Sequence, residues 1–278
     1  MIRLIVDSTF DFTEEFINQH HLDVVPLSVT FGTDVYKEKI ELSTEEFYKR
    51  MACSTELPKT SQPAPQLFLE LFEKAYENRD QVIVMTLSSG ISGTYQCACL
   101  AAGMMPEMEI EIIDTKNVTI GAQIQALEVI RMIESGLEYQ AIVKKARENV
   151  SKVRMIALIN TLENLVKGGR LSKAEGMVGS LIAIKPFITM DAEGKIETLS
   201  KSRGIRKGLS SMIETLKTSD IDPDKPMAAG FTSVPETMNQ FLSLCDDERF
   251  HPELISSIGA VIGTHAGTNA AAAAYFVK

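Results

Sequence analysis

Three short polar segments of this chain offer small hydroxyl side chains and backbone N–H groups as hydrogen-bond donors. They are Thr-Ser-Gln-Pro at residues 60–63, Ser-Ser-Gly-Ile-Ser-Gly-Thr at 88–94 and Gly-Thr-His-Ala-Gly at 263–267, each beside an apolar run. The glycines of the last two segments let a ligand approach the backbone closely. If the three segments meet in the fold, they would form a neutral site for an anion such as a carboxylate or a phosphate.

The candidate ligand-binding residues lie within these segments. They are Thr60, Ser61, Ser92, Gly93, Thr94 and His265. Each has an ordinary structural interpretation as well: a turn for the first segment, a helix N-cap for the second and a satisfied structural histidine for the third. The residue types alone leave both interpretations open.

The same segments lack the groups that usually carry out chemistry. They contain no phosphate-binding lysine, no metal-ligand spacing and no acid/base pair of carboxylates. The glycine spacing around Ser92 also differs from that of a nucleophile elbow. We therefore predict binding rather than catalysis, with no catalytic residue, metal or cofactor. An acyl hydrolase or transferase that uses Ser92 with His265 is the alternative, although no acid is evident to orient the histidine.

Length and composition restrict the class of protein. The 278 residues indicate roughly two domains, and the 45% hydrophobic content suffices for packed cores. The net charge of −9 argues against nucleic-acid binding, which needs a basic surface. No apolar stretch approaches the roughly 20 residues of a membrane span. The N-terminus reads as a strand rather than a signal peptide, and the four scattered cysteines fit reduced thiols, so we expect a cytoplasmic protein.

The elements around the polar segments predict an α/β fold. In the first half, strands at 3–6, 82–87 and 110–113 alternate with helices, which is typical of a parallel sheet. The second half reads as α+β. We expect two lobes, an N-terminal α/β lobe over residues 1–153 and a C-terminal α+β lobe over 154–278, with the ligand between them.

Several local expectations concern the positions of the polar residues. Residues 24–31 read as one strand, 60–65 as a loop, and 258–262 as a strand that ends just before His265. Residues 7–9, Asp-Ser-Thr, follow the first strand, where α/β folds place ligands. The alanine run at 270–274 suggests tight packing, and 174–182 is an apolar stretch punctuated by glycine.

Two basic residues beside glycine are further candidates. Arg170 ends Lys-Gly-Gly-Arg at 167–170, and Arg203 lies in a basic stretch from Lys201 to Lys207. Guanidinium groups bind carboxylates, phosphates and acidic partners well. A basic residue near a helix end is the plainer interpretation of both.

In order along the chain, these segments resemble the DegV family. The matching segments are residues 7–9, 60–63, 88–95, 167–170, 179–181, 185–186, 203–204 and 262–265. The resemblance covers nearly the whole chain. Two departures occur: Gly-Thr-Asn stands at 267–269 where members often have Gly-Pro-Gly, and 182–186 lacks the asparagine of the usual Leu-Asn-Ile-Lys-Pro.

The resemblance implies a function and places the site residues. The family is similar to the fatty-acid-binding subunit of bacterial fatty acid kinase, which buries a long-chain fatty acid between two α/β lobes. Carried over, Thr60, Ser92 and His265 would hold the carboxylate, with the Gly93 amide as a further donor. Ser61, Thr94, Arg170 and Arg203 would contact the head group or the partner.

The resemblance also implies a partner. A separate ATP-binding kinase subunit would phosphorylate the bound carboxylate to an acyl phosphate that feeds phospholipid synthesis, and transient contact with a membrane surface would be compatible with that role. A lipid-responsive regulatory sensor is a second alternative, which the sequence does not separate from the first.

Overall fold

The computed structural model describes residues 1–172 and 184–278 of the chain. The apolar stretch predicted at 174–182, the family-like segment at 179–181 and the departure at 182–183 lie outside the described residues.

The N-terminal lobe is built on a parallel four-stranded sheet. Its strands are β1 (Ile2–Asp7), β2 (Asp23–Val25), β6 (Gln81–Thr86) and β7 (Ile110–Asp114), in the order β2-β1-β6-β7. The helices of this lobe are α1 (Glu14–Gln19), α2 (Thr44–Cys53), α3 (Pro65–Glu77), α4 (Thr94–Gly103), α5 (Thr119–Glu134) and α6 (Tyr139–Val150). Apolar clusters cover both faces of the sheet, which explains the nearly continuous apolar runs of β1 and β6.

A small antiparallel sheet corrects two expectations. It consists of β3 (Ser28–Phe31), β4 (Asp34–Lys37) and β5 (Lys59–Ser61), in the order β4-β3-β5. The single strand expected at 24–31 is wrong, because β2 and β3 belong to different sheets and Pro26, which has no N–H for a ladder, lies between them. The loop expected at 60–65 is also wrong in part, because Thr60 pairs with Val29 inside β5.

The C-terminal lobe is built on a mixed six-stranded sheet. Its strands are β8 (Val153–Leu158), β9 (Ile184–Met190), β10 (Ile196–Arg203), β11 (Ala228–Phe231), β12 (Leu254–Ser257) and β13 (Ala271–Phe276), in the order β10-β9-β8-β13-β11-β12. The β11–β12 pair is parallel and the other neighbours are antiparallel. The described helices are α7 (Glu163–Lys167), α8 (Ile205–Thr218), α9 (Glu236–Leu244) and α10 (Ala260–Ala266).

The alanine run forms β13, in the middle of this sheet. Ala272 and Ala274 belong to the apolar cluster on one side of the sheet, while Ala271 and Ala273 belong to the cluster on the other. This alternation follows from the period of two in a strand. Helix α5 packs against β8, β11 and β13, so the small side chains serve close packing as expected.

The strand expected at 258–262 is wrong, because the segment from Ala260 onwards is helix α10. A short apolar run fits a buried helix as well as a buried strand. What favours the helix lies far away in the sequence: the carboxylates of Asp11 and Glu38 accept hydrogen bonds from the N–H groups of Gly259 and Val261 at its start. His265 therefore lies in the last turn of a helix.

The parallel sheet of the first lobe and the mixed sheet with helices of the second confirm the predicted fold class. The two lobes share one apolar core. The largest cluster of buried residues includes Leu27 and Phe47 of the N-terminal lobe together with Met155 and Ala272 of the C-terminal lobe. The side chains of Gln123 in α5 and Ser256 in β12 exchange two hydrogen bonds of 3.0 Å across the lobes. Within residues 1–172 and 184–278, no helix is long and apolar enough to span a membrane.

Candidate ligand-binding site

An apolar cavity lies between the two lobes. Its walls come from both, for example from Leu27 and Leu87 on one side and from Met155, Ile188 and Val261 on the other. The empty space between the lining residues is about 830 Å³, a figure that includes open solvent at the mouth of the cavity. The larger part of the lining is apolar, which suits a hydrocarbon rather than a sugar or a nucleotide.

Six polar side chains of the lining gather at one end, namely Thr60, Ser61, Gln62, Ser92, Arg170 and His265. A further polar lining residue, Thr119, donates a 2.6 Å hydrogen bond to the carboxylate of Asp11. Ser61 and Gln62 are exposed, so this end is the one that reaches solvent. The predicted meeting of the three polar segments is therefore what the structure shows: each contributes at least one side chain to the same end of the cavity.

Thr60 and His265 form the hydrogen-bonded pair at this end. The Thr60 Oγ1 and His265 Nε2 atoms are 2.9 Å apart, although the residues are 205 positions apart in the chain. β5 holds Thr60 through its pairing with β3, and α10 holds His265 in its last turn. A strand and a helix from different lobes thus place one hydroxyl and one imidazole together.

The imidazole of His265 is electrically neutral near pH 7. Burial lowers its pKa to about 4, and the positive charge of Arg170 acts in the same direction. Its Nδ1 atom is buried and has no hydrogen-bond partner among the described residues. The ring packs against Gly168, where a Cβ atom would lie only 2.3 Å from Nδ1.

Ser92 lines the cavity, whereas Gly93 and Thr94 do not. Oγ of Ser92 and Oγ1 of Thr94 are 2.9 Å apart, and Thr94 is completely buried. Gly93 is half-buried, and a Cβ atom there would lie 1.9 Å from Oε1 of Gln62. Glycine at 93 thus leaves room for Gln62 in its observed position, while donation by the Gly93 amide stays a prediction.

Gln62 is a lining residue that the sequence reasoning did not single out. Its Nε2 atom donates a 3.1 Å hydrogen bond to Sγ of Cys97 in α4, so the side chain joins the strand that carries Thr60 to the helix that follows Ser92. Gln62 belongs to the first polar segment, but its place in the cavity wall depends on its contacts with Gly93 and Cys97, which the sequence does not reveal.

The two candidate arginines occupy different places. Arg170 lines the cavity, and its guanidinium donates to the carbonyl oxygens of Ile91 (3.1 Å) and Gly168 (2.7 Å). Arg203 is exposed at the end of the edge strand β10 and does not line the cavity. Among the residues that the structure describes, the polar end therefore holds the permanent cation of Arg170 beside the neutral donors, and Arg203 belongs to the surface.

The Asp-Ser-Thr segment after β1 does not line the cavity, so the ligand position expected there is wrong. Asp7, Ser8 and Thr9 are buried. The carboxylate of Asp7 accepts a 2.7 Å hydrogen bond from the N–H of Leu87, and Oγ of Ser8 accepts one of 3.1 Å from the N–H of Leu27. These residues fix the backbone of two lining residues instead.

The geometry does not support a hydrolase. His265 Nε2 bonds Thr60 rather than Ser92, Ser92 bonds Thr94, and no carboxylate among the described residues orients the imidazole. A nucleophile needs a base within hydrogen-bond reach that is itself oriented by a third group. Across residues 1–172 and 184–278, no cluster of three His, Cys, Asp or Glu side chains is arranged to hold a metal ion.

Comparison with known proteins gives the family. Residues 1–278 match the family described as uncharacterised protein, DegV family. The chain belongs to the DegV family. A DegV domain-containing protein of Caldanaerobacter subterraneus subsp. tengcongensis is 32% identical over 272 residues, which cover 97% of this chain and 96% of that one.

Solved structures of DegV proteins share the fold over the full length. DegV of Bacillus subtilis, described as a fatty acid binding protein, is 32% identical with a TM-score of 0.85, covering 100% of this chain and 99% of that one. A fatty acid binding DegV family protein of Streptococcus agalactiae is 27% identical with a TM-score of 0.88, at 100% and 99% coverage. The two lobes and the sheets described above are thus those of the family.

Proposed function

We propose that this chain binds a long-chain fatty acid in the cavity between its lobes and presents the carboxylate to a separate ATP-dependent kinase subunit. One observation carries the proposal: an apolar cavity in which Thr60, Ser92, Arg170 and His265 lie together at the end that reaches solvent. An amphiphile with a long apolar tail and an anionic head is the ligand that matches both parts. The fatty acid binding of the two DegV relatives named above supports it.

The apolar part of the cavity supplies most of the affinity. Each methylene group that leaves water contributes about 0.8 kcal/mol, so a tail of roughly 16 carbons is held strongly without a tight ion pair. Met155, Ile188 and Met190 are examples of the side chains that would contact the tail. Flexible methionine side chains adapt to chains of different shape.

The polar end supplies the donors that an ionised carboxylate requires. A carboxylate that is buried without hydrogen bonds would not stay charged. We assign the His265 proton to Nε2, so that it is donated to Thr60 and the Thr60 hydroxyl is free to donate to the ligand. Ser92 would donate to the second oxygen, and the charge of Arg170 would balance that of the ligand.

The kinase partner is part of this proposal and gives the chain a role in phospholipid synthesis within the cytoplasm. The polar segments hold no phosphate-binding lysine, and residues 1–172 and 184–278 show no catalytic triad around Ser92 and His265, so we propose that the phosphoryl group comes from another protein. A basic surface patch on this acidic chain would receive that partner. Its exposed members are Lys201, Arg203, Arg206 and Lys207. We also propose that the lobes comprise residues 1–153 and 154–278, a boundary that falls at the first residue of β8.

The first experiment tests lipid binding through the head group. Native mass spectrometry of the purified chain should show a bound mass of a fatty acid, and Thr60→Val should weaken palmitate binding about tenfold, because a charged head group loses one hydrogen bond. Binding of 1-hexadecanol, which has the same tail, should change little. Thr30→Val in the neighbouring strand β3 is the matched control. A clean unliganded mass, together with no binding of palmitate on titration, would refute the proposal.

The second experiment tests the partner. With a fatty acid kinase subunit and ATP, Arg203→Ala should lower acyl phosphate formation several-fold and leave palmitate affinity unchanged, because Arg203 is exposed away from the cavity. Lys144→Ala, an exposed cation of α6, is the control. Equal loss of binding and phosphorylation would assign Arg203 to the pocket or the fold. Absence of acyl phosphate with the unmodified chain would favour the regulatory sensor.

A further inference from the structure

Two buried carboxylates of the N-terminal lobe hold the helix that carries His265. The Asp11 carboxylate accepts a 2.9 Å hydrogen bond from the N–H of Gly259, and the Glu38 carboxylate accepts one of 2.8 Å from the N–H of Val261. The first N–H groups of a helix have no partner within it, so acceptors from elsewhere are needed there. Both carboxylates are buried, and neither lines the cavity.

Because α10 is short, its N-terminal end lies close to the residue that carries the imidazole, His265. The helix has seven residues, which make about two turns, so Val261 and His265 are one turn apart. A third N-terminal side chain contacts the same helix: Tyr48 donates a 2.9 Å hydrogen bond to the carbonyl of Ile258, and a Cβ atom at Gly263 would lie 2.4 Å from its hydroxyl. A rotation or shift of α10 would therefore move His265 relative to Thr60.

Glu38 is the central member of these contacts. Its second oxygen accepts a 2.5 Å hydrogen bond from Oγ of Ser8, and that Oγ accepts from the N–H of Leu27. Lys39 Nζ lies 3.2 Å from the Asp11 carboxylate and donates to the carbonyl of Phe12. One carboxylate thus connects a lining residue of the N-terminal lobe with the start of α10.

We propose that Glu38, assisted by Asp11, is a positioning residue that holds His265 against Thr60 and thereby sets the preference of the cavity for a carboxylate over a neutral head group. This inference rests on the proposed binding of fatty acids. It assigns a role in ligand selection to side chains that do not touch the ligand.

The test compares two ligands with the same tail. In Glu38→Met, which keeps the approximate size but removes the acceptors, palmitate affinity should fall about tenfold while 1-hexadecanol affinity stays within about twofold. Glu38→Gln retains an oxygen that can accept from Val261 and should keep most of the preference for palmitate. Imidazole NMR signals of His265 should shift in Glu38→Met and remain near their original positions in Glu38→Gln.

Asp80→Asn is the matched control. Asp80 is a buried carboxylate as well, but its partners are the N-terminal amine and the side chain of Arg3, and it neither lines the cavity nor bonds α10. We expect lower stability with the ligand preference and the His265 signals retained. A preference that falls equally in Asp80→Asn and Glu38→Met would reduce the effect to general destabilisation and overturn the proposal.

Two further outcomes would also support or overturn the positioning role of Glu38. If Glu38→Met does not fold, Tyr48→Phe removes a milder contact to the same helix and should lower the preference in the same direction, and an unchanged preference would overturn the proposal. If the unmodified chain binds neither ligand, the proposed function fails, while the His265 signals of Glu38→Met still test the positioning role. Unmoved signals in Glu38→Met would overturn it by themselves.

Discussion

The imidazole of His265 has a lowered pKa and lies against a glycine, Gly168. Burial and the charge of Arg170 hold its pKa at about 4, so the imidazole stays neutral from about pH 5 upwards. In that range the described part of the site offers neutral donors together with the charge of Arg170. The ring reaches this position because residue 168 is glycine, with the carbonyl of Gly168 bonded to Arg170.

Gly168→Ala should displace the imidazole. The new Cβ atom would lie 2.3 Å from Nδ1 and 2.6 Å from Cε1 of His265, distances that require the ring to move. The hydrogen bond to Thr60 should then break, and palmitate affinity should fall about tenfold. Isothermal titration calorimetry with palmitate measures the effect.

Gly103→Ala at the end of α4 is the control for this substitution. A Cβ atom there would meet nothing within 4 Å, so alanine should leave affinity unchanged and stabilise the chain slightly. Retained palmitate affinity in Gly168→Ala would show that the imidazole is not needed at its observed position.

Elements with local signals could be predicted from the sequence. The residues alone predict helix α4 from Thr94 to about Gly103 and α6 from Tyr139 to Val150, and the structure has helices at those positions. The sequence also predicts Ser43 as the N-cap of α2, and its Oγ accepts a hydrogen bond from the N–H of Glu46. Capping residues and helical periodicity act within a few residues, so a single sequence contains them.

Elements that depend on distant partners could not be predicted in this way. β5 is a strand because residues 28–30 pair with it, and α10 is a helix whose first N–H groups bond Asp11 and Glu38, more than 200 residues earlier. A local sequence pattern does not specify which distant residues an element will contact. The same distinction between local and distant signals applies to the residues of the candidate site.

Thr60, Ser92 and His265 could be named from residue types and family resemblance, and they lie at one end of the cavity. The contribution of Gln62 could not, because it depends on the room beside Gly93. The sequence also could not show that Arg170 lines the cavity while Arg203 is exposed on the surface.

The whole molecule is held together along α5. This helix is buried over most of its length and packs on strands of both large sheets. Besides the Gln123–Ser256 pair, Glu128 of α5 forms an ion pair with Lys225 of the C-terminal lobe. Because the largest apolar cluster also spans both lobes, we expect the lobes to unfold together.

The free energy of unfolding should rise as the pH falls from 8 to 6.5. Burial, with repulsion from Asp11 as the second cause, raises the pKa of Glu38 to about 7, so the folded chain takes up a proton in this range that the unfolded chain does not bind. The contribution is roughly 1 kcal/mol. His265 acts in the opposite sense, but only between pH 6.5 and about 4, because its pKa is lowered.

Urea unfolding at pH 8.0, 7.25 and 6.5 measures this dependence. Glu38→Gln should remove most of the rise, whereas Glu73→Gln, at an exposed position of α3, should leave it in place. An identical pH dependence in the unmodified chain and Glu38→Gln would mean that Glu38 does not take up the proton.

The position of β13 determines when this fold can be completed during synthesis. Of the six strands in its sheet, β13 is the last to leave the ribosome, yet it lies between β8 and β11. Until then, β8–β10 and β11–β12 are two separate ribbons, each with an unpaired edge that other chains could join. The cavity wall is therefore completed only after β13 has been synthesised, and the edges of β8 and β11 stay unpaired until five alanines in a row arrive to close the sheet.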